Sequence, residues 1–308
     1  MKLSIHAELA KLKKEKNAII LAHYYTWPDV QELADFTGDS LGLSRKAAET
    51  DADIILFAGV EFMAETASII SPKKTVLIPE GNLGCSLADC ITADQLIQWK
   101  QQFPDALVVS YVNSTAAVKA QSDYCCTSGN AVNVLKAIPE DKTILFCPDA
   151  NLGKWAAQKA GRKVELWNGG CHVHMAMNLN TILNTANKYP DYDILMHPEA
   201  SCSSELSEEL RKKTYIYSTS GMIKHVASHA QTKYIIATEP GIIHELQKQN
   251  PSKQFVPVND FIVCDSMKRI TPANLLTALQ TGSRKIKVAD DLAALALKPI
   301  ERMISINA

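Results

Sequence analysis

Apolar residues in this chain come in short unbroken runs, and the runs return in the same order three times. Residues 18–22 (Ala-Ile-Ile-Leu-Ala), 106–110 (Ala-Leu-Val-Val-Ser) and 193–196 (Asp-Ile-Leu-Met) open the three rounds. They lack the polar alternation of a half-exposed strand, so they read as strands buried on both faces. Each passes directly into residues able to do chemistry: His23-Tyr24-Tyr25, Tyr111-Val112-Asn113 and His197-Pro198-Glu199. Next comes a small polar cluster: Thr37-Gly38-Asp39-Ser40, Cys126-Thr127-Ser128-Gly129-Asn130 and Ser218-Thr219-Ser220-Gly221. Each opens a helix, predicted over 41–50, 131–137 and 222–230, and Ser40, Ser128 and Ser220 are the residue type that caps a helix N-terminus.

A second strand follows each helix, at 53–58, 143–147 and 234–237. Each ends in a turn: Gly59-Val60-Glu61, Pro148-Asp149-Ala150-Asn151 and Glu239-Pro240-Gly241. After a further helix a third strand, at 74–78, 163–166 and 254–258, leads to a cysteine: Cys85, Cys171 or Cys264. The period is about 90 residues, an internal repeat that fixes the architecture. Alternating strands and helices predict parallel α/β layers with right-handed crossovers. The expected fold is three similar α/β domains with parallel sheets, related by a pseudo-threefold axis, with the active site at their junction. Their expected spans are 1–103, 104–189 and 190–269. The tail, 270–308, is expected to pack back on the first domain, with a helix over 272–281, a strand over 285–288 and a helix over 290–304 kinked at Pro299.

Composition narrows the class. A chain of 308 residues that is 46% hydrophobic and 21% charged suits a soluble globular protein of two or three domains. A net charge of −1 favours neither a nucleic-acid nor a membrane surface, and no apolar run is long enough to span a bilayer. The first sixteen residues are charged and lack the apolar segment of a signal peptide, so the expected location is cytoplasmic. In that compartment eight cysteines point to metal binding, catalysis or burial rather than disulfides. Cys90 and Cys147 lie in apolar surroundings and read as core, and the adjacent pair Cys125-Cys126 is the weakest candidate for ligation.

Ligands of parallel sheets bind at the carboxyl ends of strands, where every motif above falls. If the three ends converge, so do Cys85, Cys171 and Cys264, although 86 and 93 residues separate them in sequence. Three converging thiolates suggest a metal. Zinc is one candidate, but structural zinc draws on close-set Cys pairs. An iron–sulfur cluster with one iron left open is the other. Helix N-termini facing the same space would bind anions such as carboxylates or phosphate, with His23 and His197 as added donors. Tyr25 and Glu199 are the proton-transfer candidates. A nearby cation or His is expected to lower the phenol's pKa, and burial to raise the carboxyl's.

Eight of these pieces, in order from the first strand to the third cysteine, resemble the quinolinate synthases of de novo NAD biosynthesis. They are His23-Tyr24-Tyr25, Gly38-Asp39-Ser40-Leu41, Tyr111-Val112-Asn113-Ser114, Cys126-Thr127-Ser128, the 167–174 loop, His197-Pro198-Glu199, Ser218-Thr219-Ser220, and Cys264 before Met267-Lys268. The resemblance implies a [4Fe–4S] cluster held by Cys85, Cys171 and Cys264. It implies condensation of iminoaspartate with dihydroxyacetone phosphate, losing phosphate and two waters. Substrate contacts carry over to His23, Ser40, Tyr111, Asn113, Ser128, His197, Glu199 and Thr219, and catalytic positions to Tyr25, His174, Glu199, His23 and His197. Transient contact with the L-aspartate oxidase that supplies iminoaspartate is also implied. A single Cys near position 264 leaves no Cys-x-x-Cys redox pair.

Blander readings stand beside these. Ser40, Ser128 and Ser220 would serve as plain helix caps. Glu61, Glu65 and Glu239 suit solvated or capping roles, and 284–287 (Arg-Lys-Ile-Lys) a solvated edge. Of His172 and His174, one is structural or solvent-facing, and only the family match favours His174. Another [4Fe–4S] hydro-lyase would keep the cluster and change the acid and base. A non-catalytic iron–sulfur regulator would need a DNA-binding element, and no basic helix-turn-helix is evident.

Overall fold

The computed structural model describes residues 2–307. The first unit comprises α1 (Lys2–Glu15), β1 (Ala18–His23), α2 (Pro28–Gln31), β2 (Phe36–Gly38), α3 (Ser40–Glu49), β3 (Ile54–Ala58), α4 (Glu61–Ile70) and β4 (Thr75–Leu77). A 3₁₀ turn at Ala88–Cys90 and α5 (Ala93–Gln101) lead to the second. That unit runs β5 (Leu107–Tyr111), α6 (Ala116–Ala120), β6 (Tyr124–Cys126), α7 (Ala131–Ala137), β7 (Ile144–Cys147), α8 (Ala150–Ala160), β8 (Glu165–Leu166) and α9 (His172–Met175). The third has α10 (Leu179–Lys188), β9 (Asp193–Met196), α11 (Glu208–Lys212), β10 (Thr214–Ile216), α12 (Thr219–Ser228), β11 (Lys233–Ala237), α13 (Ile242–Gln249), β12 (Gln254–Pro257) and α14 (Asp265–Lys268). The tail adds α15 (Pro272–Thr281) and α16 (Asp290–Ser305).

Each unit holds one four-stranded sheet, ordered β2-β1-β3-β4, β6-β5-β7-β8 and β10-β9-β11-β12, and every pairing is parallel. Parallel neighbours need crossovers, which the helices supply. The central strands are those with continuous apolar runs: Ile20, Leu21, Ile55, Leu56, Val108, Val109, Ile194 and Ile235 are all fully buried. The fold is thus the expected α/β one, with a fourth strand in each sheet that the pattern missed. β2, β6 and β10 are three-residue edge strands next to the polar clusters. A short edge strand needs no long apolar run, so periodicity does not separate it from the loop.

The N-terminal segment, read from its charge alone, is helical because Ile5, Leu9 and Leu12 recur at helical spacing, and Leu9 is buried against the core. The tail is shared between units. α15 packs on α1 and β3, whereas α16 lies against α3 and α4 on one side and α6 and β6 on the other. α16 runs through the buried Pro299 as one helix. Instead of a strand over 285–288 there is a single antiparallel bridge, Lys285 to Leu77. The basic run there is a solvated edge at Lys285 and Lys287, which are exposed, but not at Arg284, which pairs with Glu61 and donates to the Pro79 carbonyl at 3.0 Å.

The largest apolar cluster joins the first two sheets and the tail, and a second surrounds β9 and β11. Cys171 and Cys264 pack against both, at the seam between them. No helix among the described residues is long and apolar enough to cross a membrane.

Candidate active site at the junction of the sheets

The carboxyl ends of β1, β5 and β9 deliver His23, Tyr111 and His197 to one space. All the candidate residues line this single cavity: Cys85, Cys171 and Cys264; His23, Tyr25, Ser40, Tyr111 and Asn113; Ser128, His174, His197, Glu199 and Thr219. Convergence is what the repeat demands if ligands sit at strand ends.

The cysteines reach the cavity from loops after the last strand of each unit. Cys171 and Cys264 stand at the N-caps of α9 and α14, and the Cys85 carbonyl accepts from Asp89 N at 3.0 Å before the 3₁₀ turn. Gly169 is required for the second loop. A Cβ there would meet the Pro148 carbonyl oxygen at 2.5 Å and Cys90 Cβ at 2.8 Å. Burial raises the Cys85 thiol to about 12 and pushes up Cys264, and it lifts Cys171 well above the ordinary value with help from Glu199 and Cys85. Such thiols become thiolates when a cation takes the proton's place. The Cys171 sulfur, a His174 ring nitrogen and a Glu199 oxygen lie within 4.8 Å of one another, and His174 Nδ1 is buried without a hydrogen bond. This donor set fits a thiolate-bound metal centre.

The other cysteines lie elsewhere. Cys125, Cys126 and Cys147 are core, and Cys202 is buried and donates to the Met177 carbonyl at 3.4 Å. Cys90, expected in the core, is only half-buried, because it lies beside the 167–174 loop and donates to the Ser86 carbonyl at 3.3 Å. All eight cysteines are free.

A chain of close polar contacts lines the cavity. Tyr111 Oη donates to Glu199 Oε1 at 2.6 Å. Glu199 Oε2 lies 3.1 Å from His174 Nδ1, and His174 Nε2 lies 2.9 Å from Thr238 Oγ1. Thr238 in turn meets the Tyr25 hydroxyl at 2.6 Å. His197 stacks on His174 with centroids 4.6 Å apart, and its Nε2 lies 3.1 Å from Ser128 Oγ. Both His172 and His174 line the cavity, but His172 is exposed and meets Ser86 Oγ at 2.6 Å, whereas His174 is buried.

The electrostatics reverse both expectations for the proton-transfer pair. Tyr25 lies well above the ordinary phenol value, because it is buried and faces Glu199. Burial alone would raise the Glu199 carboxyl, but His174, His197 and the Tyr111 hydroxyl outweigh it and hold it at about 2. The carboxylate is the charged member and the phenol stays protonated. His23 and His197 are both lowered to about 3 by burial, so both rings are neutral.

The cap assignments also change. Asp39 caps α3, accepting from Gly42 N at 2.9 Å, and Ser218 caps α12, accepting from Gly221 N at 3.3 Å. Asn130 precedes α7. Ser40 and Thr219 are therefore the first residues of their helices, and Ser128 sits in the turn before α7. The Ser40 and Thr219 hydroxyls are left to the cavity because Asp39 and Ser218 do the capping, whereas α7 has no side-chain cap bond and Ser128 lies outside the helix. Ser220 lines an adjoining cavity instead.

Sequence reasoning missed Thr238, which directly follows β11 and joins Tyr25 to His174. It also undervalued Glu239, which is fully buried and paired with Lys268 at 2.8 Å rather than solvated. Glu239 lies in a strand-end turn already singled out and Thr238 directly before it, so position in the repeat was the available signal.

Comparison with known proteins identifies a family. The family described as NadA, quinolinate synthetase A protein, matches residues 7–305. A quinolinate synthase of Trichodesmium erythraeum (strain IMS101) is 45% identical over 304 residues, spanning 97% of this chain and 93% of the relative. One from Mycobacterium sp. (strain KMS) is 46% identical over 308 residues, 98% of this chain and 91% of the relative. One from Pyrobaculum aerophilum is 44% identical over 299 residues, 96% of this chain and 97% of the relative. A match over nearly the whole length, on a chain whose candidate residues share one cavity, places this protein in the quinolinate synthetase A family.

Proposed function

We propose that this chain condenses iminoaspartate with dihydroxyacetone phosphate to quinolinate, releasing phosphate and two waters, and that Cys85, Cys171 and Cys264 hold a [4Fe–4S] cluster. The observation that carries the reading is three thiols, one from each α/β unit, on one buried cavity with His174 and Glu199. When bound, the cluster would supply a Lewis-acid iron with one position open to a substrate oxygen.

The side chains around it supply binding and proton movement. Two carboxylates and a phosphate would be met by the N-termini of α3 and α12 and by the hydroxyls of Ser40, Ser128 and Thr219. Asn113 Oδ1 is buried without a partner and faces the cavity, so it would accept a hydrogen bond from the substrate's nitrogen or a hydroxyl. Neutral His23 and His197 position the anions. Glu199, held ionised, is the group that accepts a proton, and Tyr25, held protonated, is the group that donates one. The iminoaspartate would come from an L-aspartate oxidase in transient contact.

The test is an anaerobic preparation with iron and sulfide counted per chain, then assayed for quinolinate from the two substrates. About four irons per chain with turnover supports the reading. Loaded protein that forms no quinolinate would return the chain to the broader class of iron–sulfur hydro-lyases.

A further inference from the structure

The three units differ at one repeat position that touches the cysteines. Two residues beyond β3, β7 and β11 stand Val60, Asp149 and Glu239. Val60 is an ordinary core residue. Asp149 and Glu239 are carboxylates with no exposure at all. An unpaired buried carboxylate is costly, so each requires partners. Both find one in the main chain of a cavity cysteine. Asp149 Oδ2 accepts from Cys171 N at 3.3 Å, and Glu239 Oε1 accepts from Cys264 N at 3.4 Å.

The remaining acceptor capacity anchors each carboxylate to rigid structure. Asp149 Oδ1 caps α8 through Leu152 N at 2.8 Å, and a bridge between Asp149 and Gly169 ties down the loop leading to Cys171. Glu239 Oε2 accepts from Gly241 N at 2.7 Å, and Oε1 also meets Lys268 Nζ at 2.8 Å. Lys268 closes the last turn after Cys264 and donates to the Tyr25 carbonyl at 2.7 Å. The Cys264 loop is thereby fixed both to β11 and to the Tyr25 loop.

We infer that Asp149 and the Glu239–Lys268 pair are positioning residues that fix the backbone of Cys171 and Cys264 for ligation. Cys85, whose matching position is Val60, has no such carboxylate; its loop is held instead through its carbonyls, with Leu83 O accepting from Glu61 N at 3.0 Å and Asn82 O from Arg269 at 2.9 Å. The inference rests on the proposed cluster. It adds that two ligands are preorganised by buried carboxylates and one is not. Outer partners of this kind commonly contribute a factor of 10 to 100 in metal affinity.

Asp149→Asn and Glu239→Gln keep the shape but turn an acceptor into an amide that cannot satisfy every N–H now bound. Both variants and the parent would be reconstituted anaerobically, with iron counted and the visible cluster absorption followed under excess chelator. Thiol alkylation of the iron-free proteins would be timed at each cysteine by mass spectrometry. The expected result is cluster loss at least about tenfold faster in each variant. In the iron-free proteins, alkylation should rise several-fold at Cys171 for Asp149→Asn and at Cys264 for Glu239→Gln, with Cys85 unchanged. If Asp149→Asn fails to fold because α8 loses its cap, Glu239→Gln and Lys268→Met carry the test. Parental cluster lifetime and parental alkylation in folded variants would overturn the inference. A parent that takes up no iron would instead overturn the cluster reading on which it depends.

Discussion

Tyr111 and Glu199, from different sheets, meet through a 2.6 Å hydrogen bond in which the phenol donates to a fully enclosed carboxylate. The bond helps keep the carboxylate ionised where burial would otherwise neutralise it. Glu199→Gln removes that charge with little change of shape. Turnover should fall by on the order of 10²-fold or more while iron content is retained. Anaerobic turnover measured beside iron content checks this, and near-normal turnover with the cluster intact would remove Glu199 from the mechanism. Tyr111→Phe should give a smaller loss in the same assay.

Tyr25→Phe keeps the ring that packs 4.5 Å from His23 and deletes only the hydroxyl bound to Thr238. The lost hydrogen bond should cost stability about 1 kcal/mol. Turnover should drop by on the order of 10²-fold, because the protonated phenol is the donor. Thermal melts beside the anaerobic assay separate the two effects. Comparable small losses in both would reduce Tyr25 to a packing residue.

Ser128 makes no cap, and its hydroxyl lies 3.1 Å from His197 Nε2 on the cavity wall. Ser128→Ala should therefore raise KM for the anionic substrates several-fold and leave the melting temperature within a few degrees of the parent. A large destabilisation with unchanged KM would show that the turn before α7, not the substrate, needs the hydroxyl.

His225 offers a pH test away from the cavity. It is buried beside Tyr215 and His229, and neither ring nitrogen has a hydrogen-bond partner among the described residues. Burial, together with the His229 and Lys253 charges, lowers its pKa to about 4. The unfolded chain takes up that proton near pH 6.5 and the folded chain does not, so stability is complete above 6.5 and falls as pH drops toward 4. The slope is up to about 1.4 kcal/mol per pH unit. His225→Phe keeps the stacking and removes the titration, so its advantage over the parent should be larger at pH 5 than at pH 7.5. Equal advantages, read from denaturant melts at both values, would contradict the burial argument.

The strand-end motifs and the three cavity cysteines were legible in the sequence because they recur with a common period, and a repeat of apolar runs constrains which residues reach the same end of a sheet. The edge strands β2, β6 and β10 were not legible, since three residues at a sheet edge carry no distinctive pattern. Helix α1 was hidden by its lysines.

What the sequence determined by itself was the order of strands, helices and chemistry-bearing turns, because local pattern and chain connectivity decide those. Only the tertiary structure decided the charge states and the outer partners. Whether Glu199 or Tyr25 holds the charge depends on Tyr111 and His174, neighbours that are 88 and 25 residues from Glu199 in the chain. Glu239 reads as a solvated turn residue until Lys268 and the Cys264 amide are seen beside it. A pKa is set by burial and by nearby charges and hydrogen bonds, and those distances exist only once the three sheets have closed on one cavity.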